Sequence, residues 1–368
     1  MRLLLLLLVF TVACSSSPLK YDKSAQLKQN DEFENAIKIE RPVDAEADSD
    51  TEGVAEPKVV AVPKASAPVV AATPSPLEKK IAAKSKVKKI DKKSTKKNKV
   101  KSEADVPADK APAVPATRQP DLEDSVGFSG RRPNKDPFRV GEEVIHDMHY
   151  FKVSAGELRM RVGPMATVNG RKAYNFKISI KSSSVFSSFY SVDDRVDTFV
   201  DYETLTPSAF TLHVKETSQL KEARMLFDDK TNKATYWEKK VSKDKGEEQK
   251  KQAWDILEYS QNVYSAVFYM RNFQWDIGKE YSFRVADDEQ NLVFKAKALR
   301  KEKLDTKIGV LDAIVIKPEV TLKGVFKPVG DIYIWLSDDE FHHVLRIESK
   351  IKIGTIISEV VAIKPGQN

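Results

Sequence analysis

The chain has 368 residues, 61 of them Lys or Arg and 54 Asp or Glu, with five His and a single Cys. One cysteine excludes an intramolecular disulfide and a cysteine-based metal set, so any core must be held by apolar burial. Composition divides the chain near residue 135: 12 of its 18 prolines precede residue 136, whereas of its aromatic residues only Phe10, Tyr21, Phe33 and Phe128 do. A hydrophobic core therefore belongs to the C-terminal part, which carries 36 basic and 35 acidic residues against 25 and 19 before it.

Residues 1–14 begin with one positive charge at Arg2, continue through an apolar run to Phe10, and end in small residues before Cys14. That pattern predicts an export signal, too short to cross a bilayer as a helix. Val12-Ala13-Cys14 resembles the lipobox of bacterial lipoproteins, with Thr11 where Leu is usual. The expectation is lipidation of Cys14; the alternative is ordinary secretion with Cys14 removed or free. Ser15, rather than Asp, after the cysteine fits outer-membrane sorting in enteric bacteria, so the predicted location is the envelope, at the outer membrane facing the periplasm.

Residues 15–135 predict a disordered tether, because too few apolar residues are present to offset the entropy of ordering. An acidic block from Asp31 to Glu56 precedes a Pro/Ala/Val-rich stretch from Pro57 to Pro76. A lysine block follows, Lys79, Lys80, Lys84, Lys86, Lys88, Lys89, Lys92, Lys93, Lys96 and Lys97 with Lys99 and Lys101, containing a single acid, Asp91. After an export signal, the polyanions within its reach are lipopolysaccharide, anionic lipid heads, cell-wall polymers or external DNA. Nucleic acid is not an expected partner, since no aromatic residue is interleaved for base stacking. The bland alternative is a solvated spacer extended by its own charge. About 120 flexible residues span roughly 60 Å r.m.s. and about 400 Å fully stretched.

From Asp136 the pattern becomes alternation with period two, as in Asn175–Lys181 and Val293–Ala298. Such segments read as half-buried antiparallel strands. Asn169-Gly170 predicts a type I′ hairpin between strands near 157–166 and 172–181. Further turns are signalled at 228–232, 287–291 and 337–340. Roughly a dozen strands over 136–368 predict an all-β domain, a large antiparallel meander curled into a barrel, half-barrel or sandwich. One segment departs from this: Ile256, Val263, Val267 and Met270 lie on one helical stripe, with Leu257, Tyr264 and Phe268 beside it. The spacing predicts one α-helix over about 254–272, opened by Asp255 with Glu258 as a capping box and packed across the sheet or plugging its open end. Tyr259, Tyr264 and Tyr269 could place hydroxyls at a cavity wall.

Several short elements recur in order: Gly141-Glu142-Glu143-Val144 leading into Tyr150–Glu157, then Tyr190–Asp197, Asp201–Pro207, Tyr264–Arg271 and Ile334–Asp339. Together they resemble the bacterial exported-protein family catalogued as domain of unknown function 3108, over nearly the whole of 138–363. The resemblance implies an all-β, envelope-located domain and brings no established chemistry.

A catalytic constellation is not visible. Cys14 belongs to the signal, and neither a Gly-x-Ser-x-Gly elbow nor a phosphate-cradling glycine loop occurs. His146 and His149 fall on opposite faces of a strand, and His342-His343 alternate likewise, so neither pair makes a metal site alone. No cofactor and no metal are implied. The best polar candidates are Asp193, Arg195 and Asp197, which share one strand face and read either as a charge ladder or as a head-group site, less readily for calcium. Two functions lead: a non-enzymatic lipoprotein whose β domain binds or carries a lipid, lipopolysaccharide component or glycan, and a structural tether joining the outer membrane to an anionic partner such as peptidoglycan through the lysines. A hydrolase using Asp193 or Asp197 stands third.

Overall fold

The computed structural model describes residues 19, 21, 24–42 and 136–367, apart from 152, 323–324, 328–330 and 352–353. Cys14 and the lysine block therefore lie outside the described residues. From residue 143 the alternating pattern becomes strands: β2 (Glu143–Tyr150), β3 (Val153–Val162), β4 (Ala166–Val168), β5 (Arg171–Ser182), β6 (Val192–Asp201), β7 (Pro207–Glu216), β8 (Gln219–Asp228), β9 (Lys233–Ser242) and β10 (Gly246–Asp255). After a helical interruption come β11 (Glu280–Asp287), β12 (Gln290–Thr306), β13 (Gly309–Leu322), β14 (Val325–Lys327), β15 (Asp331–Ser337), β16 (Val344–Ile351) and β17 (Gly354–Lys364). Neighbours in sequence pair antiparallel, with β13 meeting both β14 and β15. The last strand returns beside the first of the domain, Val360 opposite His146, so the chain's two ends of the domain are stitched together in mid-sheet. The sheet thus runs from β11 at one edge through β17 and β2 to β10 at the other, and it curls without closing. Among the described residues no ladder joins β10 to β11; the loop after β10 meets β11 in a parallel bridge, Gln261 with Val285, and Lys250 of β10 places Nζ 3.0 Å from Asp288 in the turn after β11.

Alternation decides what the curled sheet encloses. Leu158, Met160 and Val162 of β3, Phe176 and Ile178 of β5, Val196 and Val200 of β6, Phe210, Leu212 and Val214 of β7 and Ala223 and Met225 of β8 belong to one buried cluster. The hairpin turn falls at Asn169-Gly170, both at positive φ (48° and 80°), as a type I′ turn requires. Its first strand is interrupted: β3 ends at Val162, and the bend at Gly163-Pro164-Met165 precedes the short β4, because proline cannot donate to the ladder. The tip of the β12–β13 hairpin folds over the outer face, where Glu302 accepts from Trp335 Nε1 (2.6 Å) and Lys307 pairs with Asp147 (2.6 Å).

The helix expected over 254–272 is far shorter, a correction with a clear cause. Trp254 and Asp255 remain in β10, opposite Ala234 and Lys233, so the alternation there continues as strand. Asp255 caps nothing. The helix, α4, is Ser265–Tyr269, continued by a 3₁₀ turn at Met270–Asn272. It starts where the Asn262 side chain accepts from the backbone N–H of Tyr264 (2.9 Å) and Ser265 (2.7 Å). The segment does plug the curled sheet: Phe268 stacks on Phe176 with ring centroids 4.2 Å apart, and Phe273 and Tyr269 pack on Phe283.

A second correction concerns the tether, expected from residue 15. Residues 24–42 are structured, as α1 (Ser24–Lys28), α2 (Asp31–Ala36) and β1 (Ile39–Glu40), the last paired with β4. Asn30 caps α2 by accepting from Phe33 N (3.1 Å). Phe33 and Ile37 then bury against Val168, Ala173, Phe199 and Ala209 on the outer face of the sheet, and Leu27 against Leu220 and Val241. Arg41 reaches Asp197 at 3.2 Å. A few well-spaced apolar residues suffice here because the sheet supplies the other half of the contact; composition averaged over 120 residues hid them.

Candidate functional site

Toward the end of the enclosed face where β6 begins, the apolar rows give way to charge. Asp194 continues the inward parity of Val196 and Val200 and lies opposite Val214; Glu216 follows Val214 on the same face, and Lys221 of β8 lies opposite Val214 from the other side. Asp194 and Glu216 are each only 5% exposed. Glu216 accepts from Tyr190 Oη (2.7 Å) and Gln219 Nε2 (2.6 Å). Asp194 accepts from the backbone N–H of Lys215 (3.1 Å) through Oδ1, while its Oδ2 is buried without a hydrogen-bond partner. Burial first, and then the charge of Glu216, push the Asp194 carboxyl up to about 7. A carboxyl that is neutral in this environment can donate a hydrogen bond, and one that ionises near neutrality can accept a cationic group.

This placement fixes a pH dependence. Because the folded-state pKa is raised, the stability linked to Asp194 is fully present below the unfolded value near 4 and is lost as pH rises toward about 7. Replacing Asp194 with Asn is expected to flatten that fall. Thermal melts of both proteins between pH 4 and 8 check it, and parallel curves would remove Asp194 as the titrating group.

Beside these charges a small cleft of about 30 Å³ is lined by Phe210, Leu212, Met225, Val263 and Tyr264, together with Lys221, Tyr236, Asp287 and Asp288. An apolar wall with Lys221 at one side suits an amphiphile more than a fully polar solute.

A second polar centre is structural. Arg271, at the end of the plug and 4% exposed, donates to Glu142 Oε1 (2.6 Å), to the Pro137 carbonyl (2.8 Å) and to the Phe341 carbonyl (2.9 Å). His343 Nε2 stands 3.6 Å from the other Glu142 oxygen. Burial raises the Glu142 pKa, but the charge of Arg271 and the contact with His343 outweigh it and hold the group below the usual value. The elements that carried the family resemblance, around Glu142, Arg271 and Ser337–Asp339, thus meet in one latch.

The residues singled out from sequence fall elsewhere. Asp193, Arg195 and Asp197 do share a face of β6, but it is the outer one: Arg195 Nε lies 3.4 Å from Asp193, and Asp197 meets Arg41 and Lys177 (3.6 Å). They build a charge ladder and dock the N-terminal segment. His146 points inward, fully buried, its Nε2 2.7 Å from the Val344 carbonyl and its Nδ1 3.0 Å from Ser358 Oγ, and burial lowers its pKa to about 4. Of the tyrosines expected at a cavity wall, Tyr264 is buried and lines the cleft, whereas Tyr269 is buried in the core. Asp194 belongs to the same acidic cluster but faces the other way, and the sequence signal for it is its parity: an acid on the apolar face of a strand is the anomaly, not the acids on its wet side. Among the described residues no group of three or more His, Cys, Asp or Glu could hold a metal ion.

Geometry defines the class: an unclosed antiparallel sheet curled around a short helical plug, with a charged band at one end of its enclosed face. The chain belongs to the family described as Protein of unknown function (DUF3108), whose model matches residues 146–361. No curated protein matches it. Among solved structures it is similar to a β-barrel-like protein of domain of unknown function DUF1849 from Brucella abortus (10% identity, TM-score 0.39, covering 61% of this chain and 98% of that one). It is similar also to a protein described as exported, with a YmcC-like fold, from Bacteroides fragilis (9%, TM-score 0.28, 62% and 98%), and to one described as a lipoprotein from Parabacteroides distasonis (12%, TM-score 0.26, 62% and 97%).

Proposed function

We propose that this protein is a non-enzymatic lipoprotein of the bacterial envelope whose β domain binds or carries an envelope component, a lipid, lipopolysaccharide portion or glycan. The observation that carries the reading is the adjacency of an apolar wall, Phe210, Leu212, Met225 and Tyr264, to Lys221, with the buried Asp194 carboxyl beyond it. Membership of the family adds an exported setting by resemblance, and the Cys14 signal supplies the anchor.

The test is native mass spectrometry with lipid extraction on the chain carrying Cys14→Ser, purified from an envelope without detergent. A stoichiometric lipid or glycan, weakened by Lys221→Ala, is the expected result. A clean unliganded mass overturns the carrier reading and favours the tether, in which Lys79–Lys97 bind a cell-wall polyanion; deleting 79–101 would then abolish peptidoglycan pull-down.

A further inference from the structure

We infer that one rim of the curled sheet, presenting Phe151, Val153, Val185 and Phe189, seats in the same bilayer that the Cys14 anchor enters. The inference rests on the envelope-lipoprotein reading for its anchor, and on the structure for its surface.

The rim is built from consecutive turns. The β2–β3 turn carries Phe151 and Val153, 68% and 56% exposed; the β5–β6 connection, with the short helix α3 (Ser184–Ser187), carries Val185 and Phe189, 63% and 75% exposed. These two turns are held side by side, since Ser183 donates through Oγ to the Ser154 carbonyl (2.9 Å) and through N to the Ala155 carbonyl (3.0 Å). The β7–β8 turn comes next, with Thr217 N bonded to the Ser191 carbonyl (3.0 Å), and then the β9–β10 turn, with Lys243 N bonded to the Ser218 carbonyl (3.0 Å).

The N-terminal chain arrives at this same rim. Leu19 and Tyr21 pack with Leu27 on Leu220 and Val241, the rim ends of β8 and β9, and Tyr21 Oη donates to Glu247 at the rim start of β10. Leu19 is five residues after Cys14, a reach of at most about 18 Å. Phe189, near the start of β6, stands about three strand spacings from β9, or roughly 14 Å along the rim. A lipidated Cys14 therefore cannot let the rim stand far from the bilayer.

The composition of the rim fits that position. Among the exposed large apolar side chains of the described residues the two aromatic ones are Phe151 and Phe189, and both are here. Phe151 is held at φ 54°, a costly conformation for a bulky residue, and that conformation presents its ring outward rather than burying it. Lys181 and Lys215, exposed beside these turns, suit anionic head groups. Single aromatic side chains at an interface, reinforced by one lipid anchor, follow the two-signal logic of stable membrane attachment.

The experiment uses the mature chain with Cys14→Ser, so that no lipid obscures the surface, and vesicles of phosphatidylethanolamine with phosphatidylglycerol. The protein is expected to float with the vesicles, and Phe151→Ser with Phe189→Ser to lower its partition at least about tenfold. With Cys14 replaced, Phe189→Cys gives a unique thiol; an environment-sensitive dye there should brighten on adding vesicles, whereas one at Ile277→Cys should not. Failure to float, flotation indifferent to the two serines, or a dimer in solution that the serines dissolve without any flotation would each overturn the inference. Failure of the anchor reading looks different: the wild-type chain would leave the membrane fraction on washing, with vesicle partition of the rim still measurable. Failure of the carrier reading appears only as an unliganded mass.

Discussion

Replacing Arg271 with Met should cost about 3–5 kcal/mol of unfolding free energy, because the Glu142 carboxylate would be left buried without its charge partner. Both side chains are 4% exposed, and the guanidinium also satisfies the carbonyls of Pro137 and Phe341, so water cannot replace it cheaply. The pH profile separates lost pairing from lost packing. In the native protein the Glu142 pKa lies below its ordinary value, so its stabilisation is present above the unfolded pKa, near 4.3, and lost as pH falls through the folded one. Without Arg271 burial dominates, the pKa rises, and stability should instead fall as pH increases through the unfolded value. A denaturant series at several pH values reads this reversal, and adding Glu142→Gln should recover part of the loss. An unchanged slope would mean that the pair contributes only shape.

Phe268→Ala should destabilise by about 3–5 kcal/mol, the usual range for deleting a buried aromatic ring. Phe268 is 2% exposed and lies parallel to Phe176 at 4.2 Å, so the loss includes a stacked contact and a cavity at the centre of the curled sheet. The measurement is the shift of the urea midpoint at constant slope. Were the plug an ornament on a self-sufficient sheet, the change would stay under about 1 kcal/mol, as at sites away from such features.

Much of the fold is legible along the strands because period two is a local signal. The turns at Asp228–Asn232 and Asp287–Asn291 fall where the polar clusters place them: Asp228 accepts from Lys230 N (3.0 Å), and Asp288 and Glu289 adopt the positive φ of a tight hairpin. The plug shows the limit of such reading. The predicted helix begins near Trp254, with Ile256 first on its stripe, yet the ladder to β9 claims residues through Asp255, a preference that only the folded sheet can impose. The charged band was partly visible, since Asp194 interrupts the apolar parity of β6, but Glu216 and Lys221 join it only through cross-strand register. Arg271 and Glu142, 129 positions apart, carry no local mark of their pairing.

The docked N-terminal segment changes how the chain can be cut. With Phe33 and Ile37 buried and Arg41 held by Asp197, both Pro42 and Asp136 sit on the same body, so the 93 residues between them form a handle fixed at both ends. A protease that severs this handle does not separate the two parts: the N-terminal piece stays attached through β1 and the two short helices, as a noncovalent complex of two fragments. Severing it would free the lysines from one of their two attachments while leaving the N-terminal segment on the β domain, so that, under the proposed Cys14 anchor, proteolysis would act on the reach of the polycation and not on the address of the domain.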